Sequence, residues 1–131
     1  MNKIVSEINN MNKIVSEINK SLSENIFYEL SFFKLEKNNL IIVGSDDLAY
    51  FHNIEIEFSN VYSIECNYYF RIEPSKAVIS LIENDEEAIS INKKYGVTQG
   101  NHVFKILSED NQEFYIISES ISFREKVVKY F

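Results

Sequence analysis

The sequence predicts an α+β fold: a mainly antiparallel β-sheet, arranged as a sandwich or an open roll, with an N-terminal amphipathic helix and one short inserted helix. Three observations carry that expectation. Apolar residues recur at helical spacing over residues 1–22. From residue 26 the period of the pattern falls to two. One later stretch, 84–96, carries both a helix start and a helix stop. At 131 residues the chain is long enough to bury one core. A single domain over 1–131 is expected, with the helix at 1–22 and a β-rich body at 26–131.

The helix is written twice. Residues 1–9, "MNKIVSEIN", recur unchanged at 11–19. Ile4, Ile8, Met11, Val15, Ile18 and Leu22 step by four and three in turn, which is one stripe on a helix. The second copy continues the stripe of the first, so the duplication lengthens the helix without breaking its face. Asn9, Asn10, Asn12 and Asn19 are poor helix formers, so the helix needs a surface to pack on. A ten-residue unit seen twice is no solenoid repeat, and the first copy is expected to be dispensable. An apolar stripe of this kind also suits pairing with a second copy of the chain, a homodimer through the N-terminal helix.

The strands follow in order. Residues 26–36, "IFYELSFFKLE", are rich in aromatics and read as a strand ended by a turn at Lys37-Asn38-Asn39. "LIIVG" at 40–44 is a short buried strand, and 45–53 a loop holding Asp46, Asp47, Tyr50, Phe51 and His52. In "NIEIEFSN", Ile54, Ile56 and Phe58 alternate with Glu55 and Glu57. "VYSIECNYYFRI" alternates Tyr62, Ile64 and Cys66 against Ser63 and Glu65 until Pro74 ends the run. "AVISLIE" at 77–83 is a further strand. Asn84 is placed to cap the inserted helix, Glu87 to complete a capping box, and Gly96 to end it in the left-handed conformation. A closing meander is expected from "HVFKIL" (102–107), "EFYIIS" (113–118) and "ISFREKVVKYF" (121–131), with a tight turn near Glu119-Ser120.

Composition narrows the functional classes. The net charge of −7 opposes nucleic-acid binding, which needs clustered Lys and Arg against phosphates, and it suits a basic protein partner. No window approaches the length of a membrane span, and the first residues lack the apolar run of a secretory signal. The expected location is therefore the cytoplasm. There is no Gly-rich phosphate loop, HExxH, GxSxG or paired-cysteine site, so neither enzyme activity nor a cofactor is expected. The lone Cys66, in an apolar stretch, reads as a small buried hydrophobe. His52 and His102 read as loop or strand-end residues.

The most distinctive feature is a charge gap. No Lys or Arg occurs between Lys37 and Arg71, while the interval holds Asp46, Asp47, Glu55, Glu57 and Glu65. With a hairpin loop at 59–61, Ile54, Ile56, Phe58, Tyr62, Ile64 and Cys66 share the core face. Glu55 then stands opposite Glu65 on the wet face, and like charges so placed repel. Three arrangements would relieve the repulsion. A neighbouring strand could supply Arg124, Lys126 or Lys129. A basic partner could dock, or a divalent metal could bind, although the spacing matches no calcium loop. Tyr68, Tyr69 and Phe70 cannot all face one side of a strand, so at least one is exposed. Exposed Tyr beside carboxylates is interface chemistry. The expected partner-binding set is Asp46, Asp47, Glu55, Glu57, Glu65, Tyr68 and Tyr69, with no metal ligands.

The stretch 54–72, "IEIEFSNVYSIECNYYFRI", together with "HVFKILSEDNQEFYIISESISF", resembles the small β-rich bacterial proteins that act as immunity partners of polymorphic toxins. The resemblance spans about residues 50–131 and lies in the strand pattern; the duplicated helix is outside it. It implies a noncatalytic cytoplasmic protein that binds and blocks one cognate, basic toxin domain.

Overall fold

The computed structural model describes the backbone of residues 3–83, 85–97 and 100–131, with side chains from Ser6 onward. Its order is α1 (Lys3–Ser23), β1 (Tyr28–Glu36), β2 (Asn39–Ser45), β3 (Phe51–Glu65), β4 (Tyr69–Ile72), β5 (Ile79–Ile82), α2 (Glu86–Tyr95), β6 (His102–Leu107) and β7 (Glu113–Lys129). The strands form one antiparallel sheet in the order β4-β1-β2-β3-β7-β6-β5, curled into a half-barrel. The fold is thus α+β and mostly β, built on one sheet.

The helix docks as its stripe dictates. Met11, Val15, Ile18 and Leu22 are buried against Leu30, Ile42, Ile56, Phe58, Phe104 and Ile116 on the inner face of the sheet. Each such side chain contributes about 1.5–3 kcal/mol on leaving water. The stripe available for pairing with a second copy is therefore occupied by the chain's own sheet. Ile8 of the first copy is only partly buried, and the side chain of Ile4 lies outside the described residues. Asn19, a poor helix former, has a different use here. Its Oδ1 accepts from Val78 N and Ile79 N, both at 3.0 Å, and its Nδ2 donates to Ile79 O at 2.8 Å. It closes the outer edge of β5 as a neighbouring strand would.

The β1–β2 turn forms as expected, with Lys37 and Asn38 both at positive φ (53° and 66°), the pattern of a two-residue hairpin turn. Two other expected turns do not form. Neither 59–61 nor 119–120 reverses the chain: β3 runs unbroken for 15 residues and β7 for 17. The two strands pair along their lengths, and Ser59 stands opposite Ser120. The polar residues that resemble turns mark a bend instead. Asn60 takes a left-handed φ of 52° beside a register shift between Val61 and Ser63. Its Nδ2 donates to Glu119 Oε2 at 2.9 Å across the bend. Bulges let both strands curve with the half-barrel while keeping their ladder.

The consequences for facing are specific. Ile54, Ile56 and Phe58 reach the core, and Ile64 and Cys66 pack at its margin. Tyr62 does not. It is exposed on the other face, and its hydroxyl donates to the carbonyls of Tyr95 (3.0 Å) and Gly96 (2.9 Å) at the end of α2. That outer face carries α2, where Ile91 packs on Val103 and Ile117. Asp85 caps α2, accepting from Ala88 N at 2.8 Å, while Asn84 lies outside the described residues. Glu87 accepts from Tyr115 Oη (2.6 Å) and Lys105 Nζ (3.1 Å), and the capping box expected between it and Asn84 falls outside the described residues. Gly96 ends α2 at φ 60° as expected. No helix among the described residues is long and apolar enough to cross a membrane.

Candidate functional site

A register shift in the β3–β7 ladder, near the start of β3, accompanies a connected cluster of polar side chains. The register shifts between His52 and Ile54. Strict alternation would send His52 inward with Ile54 and Ile56. Across this shift β7 advances three residues, Val128 to Glu125, while β3 advances two, and His52 comes to lie on the outer face with Glu55. His52 is fully buried there. Its Nε2 lies 2.7 Å from Glu55 Oε2, and its Nδ1 lies 2.6 Å from the Tyr130 hydroxyl. Arg124, opposite Glu55 in the β3–β7 register, donates from Nε to Glu55 Oε1 at 2.5 Å. It also lies 3.6 Å from Glu57. The result is a continuous chain, Tyr130–His52–Glu55–Arg124–Glu57, joining β3 to β7.

The proton positions follow from the partners. Burial alone would raise the Glu55 carboxyl, but hydrogen bonds from His52 and Arg124 outweigh it and hold the group below its ordinary range. An ionised carboxylate only accepts, so His52 Nε2 carries the hydrogen. When the ring is uncharged, Nδ1 is an acceptor and Tyr130 donates to it.

Aromatic side chains surround this chain. The Phe33 ring meets His52 edge-on at 5.1 Å between centroids and lies nearly parallel to Tyr130 at 6.4 Å. Tyr68 leans on Phe32 at 5.9 Å. A cleft of about 300 Å³ opens among Phe32, Phe33, Val43, Leu48, Tyr68 and Tyr130. A second, more apolar hollow of about 330 Å³ lies among Tyr50, Phe51, Val127, Lys129 and Phe131. The loop 46–50 stands beside both. Ser45 Oγ donates to Phe51 O (2.7 Å) and accepts from Asp47 N (3.0 Å), and Tyr130 N donates to Tyr50 O (2.9 Å). Asp46 and Asp47 are exposed on this loop, and neither enters an ion pair among the described residues.

The expected acidic face is therefore not one surface. Glu55 is buried and neutralised by Arg124, the first of the three arrangements above. Glu57 is largely covered and shares the same arginine. Glu65 stands opposite Tyr115, far along β3 from Glu55, and faces Lys94 of α2 at 3.4 Å. The assumed Glu55–Glu65 opposition fails because the hairpin that required it is one strand. Asp46, Asp47 and Tyr68 remain exposed, and Leu48 of the loop lines one cleft with Tyr68. Tyr69 is also exposed, on the edge strand β4, with its hydroxyl bonded to Arg71.

Phe33, Tyr130 and the role of His52 were not legible beforehand. The i, i+3 spacing of His52 and Glu55 brings them together only through a bulge, which a two-residue period does not reveal. Among the described residues no group of three or more His, Cys, Asp or Glu side chains is arranged to hold a metal ion. Burial pushes the Cys66 thiol up to about 12, so it is an unreactive side chain at neutral pH. Comparison with protein-family models, with curated proteins and with solved structures finds no match.

Proposed function

We propose that the protein is a cytoplasmic binding protein of the immunity or inhibitor type, which blocks a basic toxin domain by docking it on the loop 46–50 end of the sheet. The observation that carries this reading is the pairing of exposed aromatics with unneutralised carboxylates. Tyr50, Tyr68, Phe33 and Phe131 offer apolar contact area there, and Asp46 and Asp47 offer charge. Apolar anchors with a charged rim are the anatomy of a protein interface. The chain's net charge of −7 favours a basic partner. The strand-pattern resemblance to toxin-immunity proteins points to the same class. Glu55 and Glu57 serve the fold in this account rather than the partner.

The test uses a basic toxin-like domain, the first to try being one encoded by a neighbouring gene. Binding should be direct, and Tyr68→Ala should speed dissociation by about tenfold or more if Tyr68 is an anchor. Glu65→Gln, at the other end of β3, should leave the complex unchanged. Loss of binding from Glu65→Gln with none from Tyr68→Ala would place the interface elsewhere.

A further inference from the structure

We propose that Tyr130 is an activated nucleophile, a covalent acceptor for acyl groups from activated esters or thioesters, with His52 as its general base. This does not rest on the docking reading. The geometry is that of a nucleophile, a base and a group that orients the base. The Tyr130 hydroxyl lies 2.6 Å from His52 Nδ1 and donates to it when the ring is uncharged. The other ring nitrogen is fixed at 2.7 Å by Glu55, itself held at 2.5 Å by Arg124. The imidazole is fully buried, so water does not compete for its acceptor nitrogen. Tyr130 is partly exposed and forms a wall of the 300 Å³ cleft, whose Phe32, Phe33, Val43 and Leu48 walls suit a short apolar acyl chain.

The step balances. Tyr130 Oη bonds to the acyl carbon, the bond from that carbon to the leaving oxygen or sulfur breaks, and the phenol proton passes to His52 Nδ1. From there it passes to the leaving group. No oxyanion donor enters the proposed step, so the acyl donor must arrive already activated. Burial and the charge of Glu55 hold the Tyr130 phenol above its ordinary value. Reaction through free phenolate is thereby suppressed, and transfer to His52 carries it. The acyl group would end the Tyr130–His52 hydrogen bond and occupy the cleft.

The molecule contains its own controls. Tyr50 and Tyr68 are more exposed than Tyr130. Neither has an imidazole at its hydroxyl among the described residues. The full chain is treated with p-nitrophenyl acetate at neutral pH, and acetylation of each tyrosine is followed by peptide mass. Tyr130 should be acetylated about tenfold or more faster than Tyr50 and Tyr68, the low end of general-base assistance. His52→Gln should bring it to their level. If that variant does not fold, the wild-type rate in heavy water decides: Tyr130 labelling should slow when its proton is in flight. Labelling of Tyr130 no faster than Tyr50 and Tyr68, a preference that survives His52→Gln, or no slowing in heavy water would each overturn the proposal.

Discussion

Glu55 and Arg124 face each other across the β3–β7 ladder, Oε1 to Nε at 2.5 Å, with Glu55 buried and Arg124 half exposed. The carboxylate that a charge count assigns to the surface is thus an internal link between the two longest strands. Removing its charge should cost stability. Glu55→Gln leaves His52 and Arg124 with a weaker, neutral partner, and the expected loss is about 1–3 kcal/mol. Arg124 can turn to water, which keeps the loss under that of a fully buried pair. Denaturant unfolding measures it. An unchanged or raised stability is what an exposed, repelling Glu55 would give, and it would contradict the buried link.

The same link sets an acid dependence. The folded-state pKa of Glu55 lies below its unfolded value, held there against burial by His52 and Arg124. Glu87 is also lowered, chiefly by the Tyr115 hydroxyl. Each group binds fewer protons folded than unfolded in that window. Their contribution is complete above the unfolded value of about 4.3 and is lost as pH falls through the folded values. Unfolding free energy followed from pH 6 downward should decline most steeply below about pH 4.3. The decline should be shallower in Glu55→Gln.

Gly44 is the tightest point of the inner face. A Cβ there would meet the Tyr28 ring at 2.5 Å and Leu30 at 2.7 Å. Tyr28 is itself fixed, because its hydroxyl donates to Asn53 Oδ1 of β3. Gly44→Ala should therefore destabilise by about 1–3 kcal/mol, the range of overpacked cores. Thermal unfolding checks it, and a neutral result would mean that Tyr28 moves aside without loss.

The first copy of the repeat should matter little. The buried stripe, Met11 to Leu22, and the edge contacts of Asn19 all lie in or after the second copy. Deleting residues 1–10 should change unfolding free energy by less than about 2 kcal/mol, the scale of one large buried side chain. A greater loss would show the first copy packing into the core.

Local periodicity made much of this legible. The stripe from Met11 to Leu22 and the alternation of Ile54, Ile56 and Phe58 each locate a buried face. The Lys37-Asn38 turn and the Gly96 stop follow from backbone chemistry. What failed depends on bulges. Asn60 and the Ser59–Ser120 pair have the composition of turns but bend two strands that continue. The register shift between His52 and Ile54 leaves His52 on the outer face, where alternation would send it inward. One inserted residue inverts every facing after it, and nothing in a two-residue period marks where it falls. The acidic site failed for the same reason, since its Glu55–Glu65 opposition required a hairpin. Asp46, Asp47 and Tyr68 were readable as exposed, but the cleft that Leu48 and Tyr68 share is a property of the folded sheet.

The account's central claim is that a basic partner docks at the loop 46–50 end, with the β3 glutamates committed to the fold. The most direct measurement is the association rate with a basic toxin-like domain, at low and high salt, for wild type, Asp46→Asn/Asp47→Asn and Glu57→Gln. The account predicts that the double variant associates more slowly at low salt, that the difference shrinks as salt rises, and that Glu57→Gln matches wild type. A slowing confined to Glu57→Gln, with the loop variant unaffected, would contradict it.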